Sequence, residues 1–257
     1  MKITVCGAAG RMGQSILGIA KFDEAVQICA GVEYDSSPAI GAGTPAIIPA
    51  SSIETVLADT EVLIDFTNPD NALKNLELAK KYKIPAVIGT TGFIAEQKEK
   101  IVKVSKEIPI VLSPNMSVGV NILFKLVEYV AKLVPDYDIE MVELHHNKKK
   151  DSPSGTATML SEIAANAIGS NINEVGIYGR KTVLGERKKD EIGVFSVRGG
   201  DIVGEHTVYF AGIGERLELV HRAQSRNNFG AGAIRAAKWI IGKDPGLYDM
   251  QDVLGLK

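Results

Sequence analysis

Residues 143–157 carry more titratable and cationic chemistry than a structural segment needs: Glu-Leu-His-His-Asn-Lys-Lys-Lys-Asp-Ser-Pro-Ser-Gly-Thr-Ala. His145 and His146 belong to the side-chain type that exchanges protons near neutrality. Lys148, Lys149 and Lys150 place three ammonium groups side by side, and these repel one another without a counter-charge. A solvated basic loop is the commonest use of such a run. The residues immediately after it argue for a site. Pro153 stiffens the turn, and Ser154, Gly155 and Thr156 lead into a helical pattern over 157–168. A helix N-terminus beside lysines is a good place for a carboxylate. The combination suits a small anionic substrate, with His and Lys as proton donors. The run before it, 138–146, alternates like a strand, so His145 and His146 start on opposite faces.

A second set of residues points to a nucleotide. Gly7, Gly10 and Gly13 in Gly-Ala-Ala-Gly-Arg-Met-Gly are spaced GxxGxxG, between a short β-branched strand (2–8) and a helical run (10–22). Glycines alone make ordinary turns. In a strand–turn–helix context they let backbone N–H groups and a helix N-terminus approach a pyrophosphate. Glu33 ends the next strand twenty residues after Gly13, where an acid accepts hydrogen bonds from ribose hydroxyls. Tyr34 follows it, so no cation is offered there to a 2′-phosphate, and the cofactor reading leans to NADH over NADPH. Arg11 could still supply such charge. Two further strand ends, 89–93 and 113–121, would lie along the rest of the dinucleotide.

These sites need a parallel sheet to hold them. Strand-like runs at 2–8, 25–33, 61–67, 84–91 and 108–115 alternate with helical patterns at 10–22, 68–82 and 94–106. Asn68 and Pro69 open the second of those helices. Such alternation predicts α/β architecture, an N-terminal Rossmann-like doubly wound parallel sheet with right-handed crossovers. Past about residue 115 the rhythm changes. A long helix at 117–134 precedes strands at 138–146, 192–200, 204–212 and 215–225, the last three joined by short glycine-containing turns. That predicts a second α+β domain on a mixed or antiparallel sheet with one open face. A helix at 228–243 is expected to return to the first domain. The expected division is 1–115 plus 228–257 for dinucleotide binding and 116–227 for substrate binding and oligomerisation.

Composition narrows the class. The 257 residues are 45% hydrophobic and 23% charged, with a net charge of −2. Nucleic-acid binding through bulk positive charge is therefore not expected, and no nucleic-acid motif is present. Cys6 and Cys29 fall in apolar strand-like runs and read as buried, reduced thiols. No Cys/His spacing suggests a metal. No run is long enough for a membrane span or a signal-peptide core, so the expected location is the cytoplasm, without a membrane partner.

Six motifs occur in order across most of the chain: 7–13, Ile64-Asp65-Phe66-Thr67-Asn68-Pro69-Asp70, 87–93, 114–121, 143–157 and 198–210. Together they closely resemble the 4-hydroxy-tetrahydrodipicolinate (dihydrodipicolinate) reductase family, which acts in the diaminopimelate route to lysine. His-His-x-x-Lys followed by Ser-Gly-Thr is the specific part. The resemblance implies a homotetramer that holds NADH or NADPH in the N-terminal domain and a cyclic dicarboxylate in the C-terminal one. It implies that Gly7, Ala8, Ala9, Gly10, Arg11 and Met12 wrap the pyrophosphate and that Glu33 binds the ribose. Gly89, Thr90, Thr91, Ser113, Pro114, Asn115 and Met116 would meet the nicotinamide half. His145 would be the general acid/base and Lys149 a proton donor, with His146, Gly155 and Thr156 on the substrate carboxylate. Domain closure around both ligands is expected. Tyr34 departs from the basic residue often found after the ribose-binding acid. Two rival readings share the glycine loop: another nicotinamide dehydrogenase acting on an amino or oxo acid, and a dinucleotide sensor without turnover. The first should lack the His-Lys motif, and the second has no need of proton donors.

Overall fold

The computed structural model describes residues 1–181 and 185–257. In chain order the elements are β1 (Lys2–Cys6), α1 (Arg11–Ala20), β2 (Gln27–Glu33), β3 (Ile47–Pro49), α2 (Glu54–Leu57), β4 (Val62–Asp65), α3 (Pro69–Tyr82), β5 (Ala86–Ile88), α4 (Ala95–Val104) and β6 (Pro109–Leu112). There follow α5 (Val118–Leu133), β7 (Asp138–His145), α6 (Gly155–Ala167), α7 (Ile172–Val175), β8 (Gly176–Ile177), β9 (Ile192–Arg198), β10 (Gly204–Gly212) and β11 (Glu215–Ala223). The chain ends with α8 (Asn227–Ile240), β12 (Gly246–Tyr248) and α9 (Met250–Leu254). These divide into two compact units, Met1–Val118 with Arg226–Lys257, and Gly119–Ser225.

The first unit is built on a parallel sheet of order β12-β6-β5-β4-β1-β2-β3. Its strands are short apolar runs because both faces are covered. One face sets Ile3, Val5, Val62, Ile64, Val87 and Val111 against Ile16 of α1 and Ala233 and Ile240 of α8. The other sets Leu63, Ala86, Ile88 and Ile110 against Leu76 of α3 and Ile101 of α4. Alternate residues of one strand therefore feed two cores, as the two-residue period of a strand requires. Asn68 caps α3, its side chain accepting from the Asn71 N–H, with Pro69 in the first turn. The strand order reverses between β1 and β4, with β2 and β3 to one side and β5 and β6 to the other, so the loop after β1 opens at the switch point on the carboxyl edge of the sheet, where ligands bind in such folds.

The second unit is a mixed sheet of order β11-β10-β7-β9-β8. The turn between β10 and β11 is the tight antiparallel connection that the sequence pattern predicts. The neighbouring expectation fails: β9 does not pair with β10. It lies parallel to β7, and β7 sits between the two. Buried and half-buried residues alternate along β7. Ile139, Met141, Val194, Val208 and Phe210 pack against Phe124 and Val127 of α5 and Leu160 and Ala164 of α6. The opposite face is open. Among the described residues, no helix is long and apolar enough to cross a membrane. Cys6 is buried and Cys29 only half-buried, both free, which corrects the expectation of two buried thiols.

Candidate functional site

The first unit holds a cleft of about 990 Å³ at the carboxyl ends of β1 and β2, lined in part by Gly7, Ala9, Gly10, Glu33, Tyr34, Phe66 and Lys74. Its floor admits no side chains. A Cβ at Gly7, where φ is +80°, would stand 2.5 Å from the Phe66 carbonyl oxygen, and one at Gly13 would stand 2.1 Å from the Gly7 carbonyl oxygen. Only glycine allows this close return of strand onto helix. The Gly7 and Ala8 N–H groups are already committed to the Val32 carbonyl, at 2.9 and 3.1 Å. An anion over the loop is thus left to Ala9 and to the first turn of α1, Arg11 and Met12, which Gly10 opens without a side-chain cap. The Ala9 N–H donates to Glu33 Oε2 at 2.8 Å. A carboxylate oxygen thereby engages one of the loop's N–H donors. The cradle and its donors fit a dinucleotide.

The neighbouring strand ends carry the other expected cofactor residues. Gly89, Thr90 and Thr91 follow β5. Thr90 is buried and its hydroxyl donates to Asp65 Oδ1 at 2.8 Å, while Thr91 is exposed. Ser113 and Asn115 follow β6 and close a tight loop: the Ser113 hydroxyl donates to the Asn115 carbonyl, and Asn115 Oδ1 accepts from the Ser117 N–H. Pro114 is exposed at its tip. The Met116 side chain is core, packed with Val5 and Ile64. Met116 and Thr90 therefore have only their main chains to offer a ligand.

The second unit carries a buried polar network around His145. Glu143 lies two residues earlier on β7, on the same face. Its side chain is 1% exposed. Its Oε2 is 2.5 Å from His145 Nδ1. Arg198, opposite His145 on β9, holds both Glu143 oxygens at 2.8 and 2.7 Å. The Ser154 N–H donates to Oε1 at 3.1 Å. Burial raises the Glu143 carboxyl, but the bonds from His145 and Arg198 outweigh it and hold it well below the usual carboxylate range. An ionised Glu143 can only accept, so His145 Nδ1 carries the proton of that bond and Nε2 is left as the working nitrogen. Gly204 keeps it clear: a Cβ there would come within 2.9 Å of Nε2.

His206 stands edge-on to His145 with ring centroids 5.3 Å apart. The Ser154 hydroxyl caps α6 by accepting from the Ala157 N–H, and it shares a hydrogen bond with His206 Nε2, 3.1 Å away. His206 Nδ1 is buried and, among the described residues, without a hydrogen-bond partner. Burial, with the nearby His145, pushes His206 down to about 3, so it stays neutral. Lys149 pairs with Asp151 at 2.8 Å and is 20% exposed, which supplies a counter-charge for one of the three lysines. Its N–H donates to the His146 carbonyl, so a turn joins the two predicted residues. His146 follows the last residue of β7, and Gly155 and Thr156 open α6, where helix geometry directs N–H groups outward. Among the described residues, no group of three or more His, Cys, Asp or Glu could hold a metal ion.

Sequence reasoning overlooked Glu143, Arg198, His206 and Gly204. Glu143 had a usable signal, since i and i+2 on a strand share a face. Arg198 and His206 meet the site only through strand pairing across more than 50 residues, which no local pattern displays.

The chain matches two family models over nearly its whole length: dihydrodipicolinate reductase, N-terminus, over residues 1–116, and dihydrodipicolinate reductase, C-terminus, over residues 119–254. The chain belongs to the dihydrodipicolinate reductase family. Relatives named 4-hydroxy-tetrahydrodipicolinate reductase include those of Trichlorobacter lovleyi, 53% identical over all of both chains, and Geobacter sulfurreducens, 52% identical over all of this chain and 99% of that one. A dipicolinate-bound dihydrodipicolinate reductase from Paenisporosarcina sp. TG-14 shares the fold, with a TM-score of 0.81 and 23% identity over 98% of each chain. A meso-diaminopimelate dehydrogenase variant from Clostridium tetani is more distant, with a TM-score of 0.60 and 12% identity over 98% of this chain and 94% of that one. As a dihydrodipicolinate reductase, the chain is an oxidoreductase that uses a nicotinamide dinucleotide to reduce 4-hydroxy-tetrahydrodipicolinate in diaminopimelate and lysine biosynthesis.

Proposed function

We propose that this chain takes its hydride preferentially from NADH and that His145 and Lys149 handle the proton of the reduction. The observation that carries the reading is the buried Glu143–Arg198 pair, which fixes the tautomer of His145 within the segment that bears Lys149 and the N-terminus of α6. The bound dinucleotide supplies a hydride to an unsaturated ring carbon conjugated with the imine. The charge left on that system must be quenched by an acid. Lys149 Nζ would give the proton once it leaves Asp151, and His145 Nε2 would exchange it. General acid catalysis of this kind contributes about 10²–10⁴-fold. His146 and the Gly155 and Thr156 N–H groups hold a ring carboxylate at the α6 N-terminus.

On the cofactor side, Glu33 turns from the Ala9 N–H to the ribose hydroxyls, freeing that donor for the pyrophosphate. Gly89, Thr91, Ser113, Pro114 and Asn115, with the main chains of Thr90 and Met116, meet the nicotinamide half. Residues 1–115 with 228–257 serve the dinucleotide, and 116–227 serve the substrate and assembly into a homotetramer working in the cytoplasm. The preference for NADH rests on Glu33 and Tyr34, an anion and a neutral residue where a 2′-phosphate would want a cation. The test is Lys149→Ala. We expect kcat to fall about 10²-fold with the NADH Kd unchanged; an unchanged kcat sinks the assignment.

A further inference from the structure

We propose that Asp65 is a positioning residue for the cofactor, tying the loop after β4 and the nicotinamide-side loop after β5 to one buried carboxylate. The proposal rests on reading Gly89–Thr91 as the nicotinamide side. Asp65 ends β4 and is 0% exposed. Its Oδ1 accepts from the Thr67 N–H at 3.0 Å, the Thr67 hydroxyl at 2.8 Å and the Thr90 hydroxyl at 2.8 Å. Its Oδ2 accepts from Asn75 Nδ2 on α3 at 2.7 Å. No cation is among these partners, so four neutral donors hold a buried acid.

The next residue extends the same tie. Phe66 lays its ring over Gly89, where a Cβ would meet it at 2.2 Å, and its carbonyl against Gly7, where a Cβ would meet it at 2.5 Å. One three-residue segment thus sets the spacing between the pyrophosphate loop and the nicotinamide-side loop. Holding an acid here is costly. Burial pushes the Asp65 carboxyl up, and the bonds from Asn75, Thr67 and Thr90 undo only part of that shift. An acid with a raised folded-state pKa loses stability for the fold as pH rises through that range. The buried carboxyl therefore adds less to stability as pH rises, while its four bonds keep the two loops tied.

The test is calorimetric titration of the full chain with NADH and with ADP-ribose, which lacks the nicotinamide half. In wild type NADH should bind tighter than ADP-ribose. Asp65→Ala should weaken NADH about tenfold and leave ADP-ribose within about twofold, since charged acceptors of several bonds are the costly ones to lose. Asp65→Asn keeps Oδ1 as an acceptor and lets Asn75 turn its amide, so NADH should stay within about threefold of wild type. Equal losses for both ligands, or no loss for NADH, would overturn the proposal. Should Asp65→Ala fail to fold, Thr67→Val removes one of the four bonds to Asp65, along with the hydroxyl's longer contact to the Asn68 carbonyl. It should cost NADH about threefold and spare ADP-ribose, and the same two contrary outcomes overturn the proposal. A folded wild type that binds NADH no tighter than ADP-ribose would instead overturn the assignment of the 89–91 loop, and this proposal with it.

Discussion

His145 and Lys149 are exceptional as residue types in a tight cluster, which is why both are legible in the sequence. Glu143 gives His145 its direction, and the strength of that hold is testable. In Glu143→Gln the amide can offer an N–H as well as an oxygen to Nδ1, so the imidazole is no longer confined to one tautomer. We expect kcat to fall about 10²-fold, with the NADH Kd unchanged by titration. Lys74 is a cation in the lining of the same cleft as Glu33 and Tyr34, and we expect it to serve a 2′-phosphate. In Lys74→Ala, kcat/KM for NADPH should fall about tenfold, as for loss of one charged hydrogen bond, while that for NADH stays within about twofold. The lean to NADH rests on Glu33 and Tyr34, both visible in the sequence. The role of Lys74 was not, because its place in the cleft depends on how α3 lies against β4.

Among the elements, those with strong local signals are the ones that read correctly: β1 and α1 around the glycine loop, α3 with its Asn68–Pro69 start, and the β10–β11 turn. Strand neighbours were harder. β9 and β10 are consecutive, yet β7 separates them, because a parallel crossover leaves no trace at either end of a strand. β3 and β12, of three residues each, and the two-residue β8 are too short to show a period. The β7–β9–β10 pairing that the sequence hid is what assembles Glu143, Arg198 and His206. It also predicts an acid response. His206 is held down at about 3, below its usual value, so its contribution to stability is complete above the ordinary histidine range and lost as pH falls toward about 3. Glu143 is also lowered, and its contribution likewise vanishes as pH falls through its folded-state value. Melting temperature should therefore drop with acid below about pH 6, and His206→Phe should flatten that slope by about one proton. A slope unchanged in that variant would contradict the buried neutral histidine.

At the scale of the whole molecule, the second unit's sheet presents a row of Phe195, Val142, Thr207 and Val220, side by side across four strands on the face away from α5 and α6. Val220 is 43% and Val197 45% exposed. An apolar row on an open sheet face is suited to packing against another sheet, which supports the proposed assembly into a homotetramer. Val220→Asp should shift the sedimentation coefficient to a smaller assembly at micromolar concentration; an unshifted value places the interface elsewhere. The two-domain plan was legible from the change of rhythm near residue 115, whereas the face left open was only implied by alternation. The reaction itself is tested most directly by NADH absorbance with substrate made in place from pyruvate and aspartate semialdehyde by the preceding synthase. A substrate-dependent fall is expected, faster with NADH than with NADPH. No fall with either cofactor, in protein shown to be folded, would contradict it.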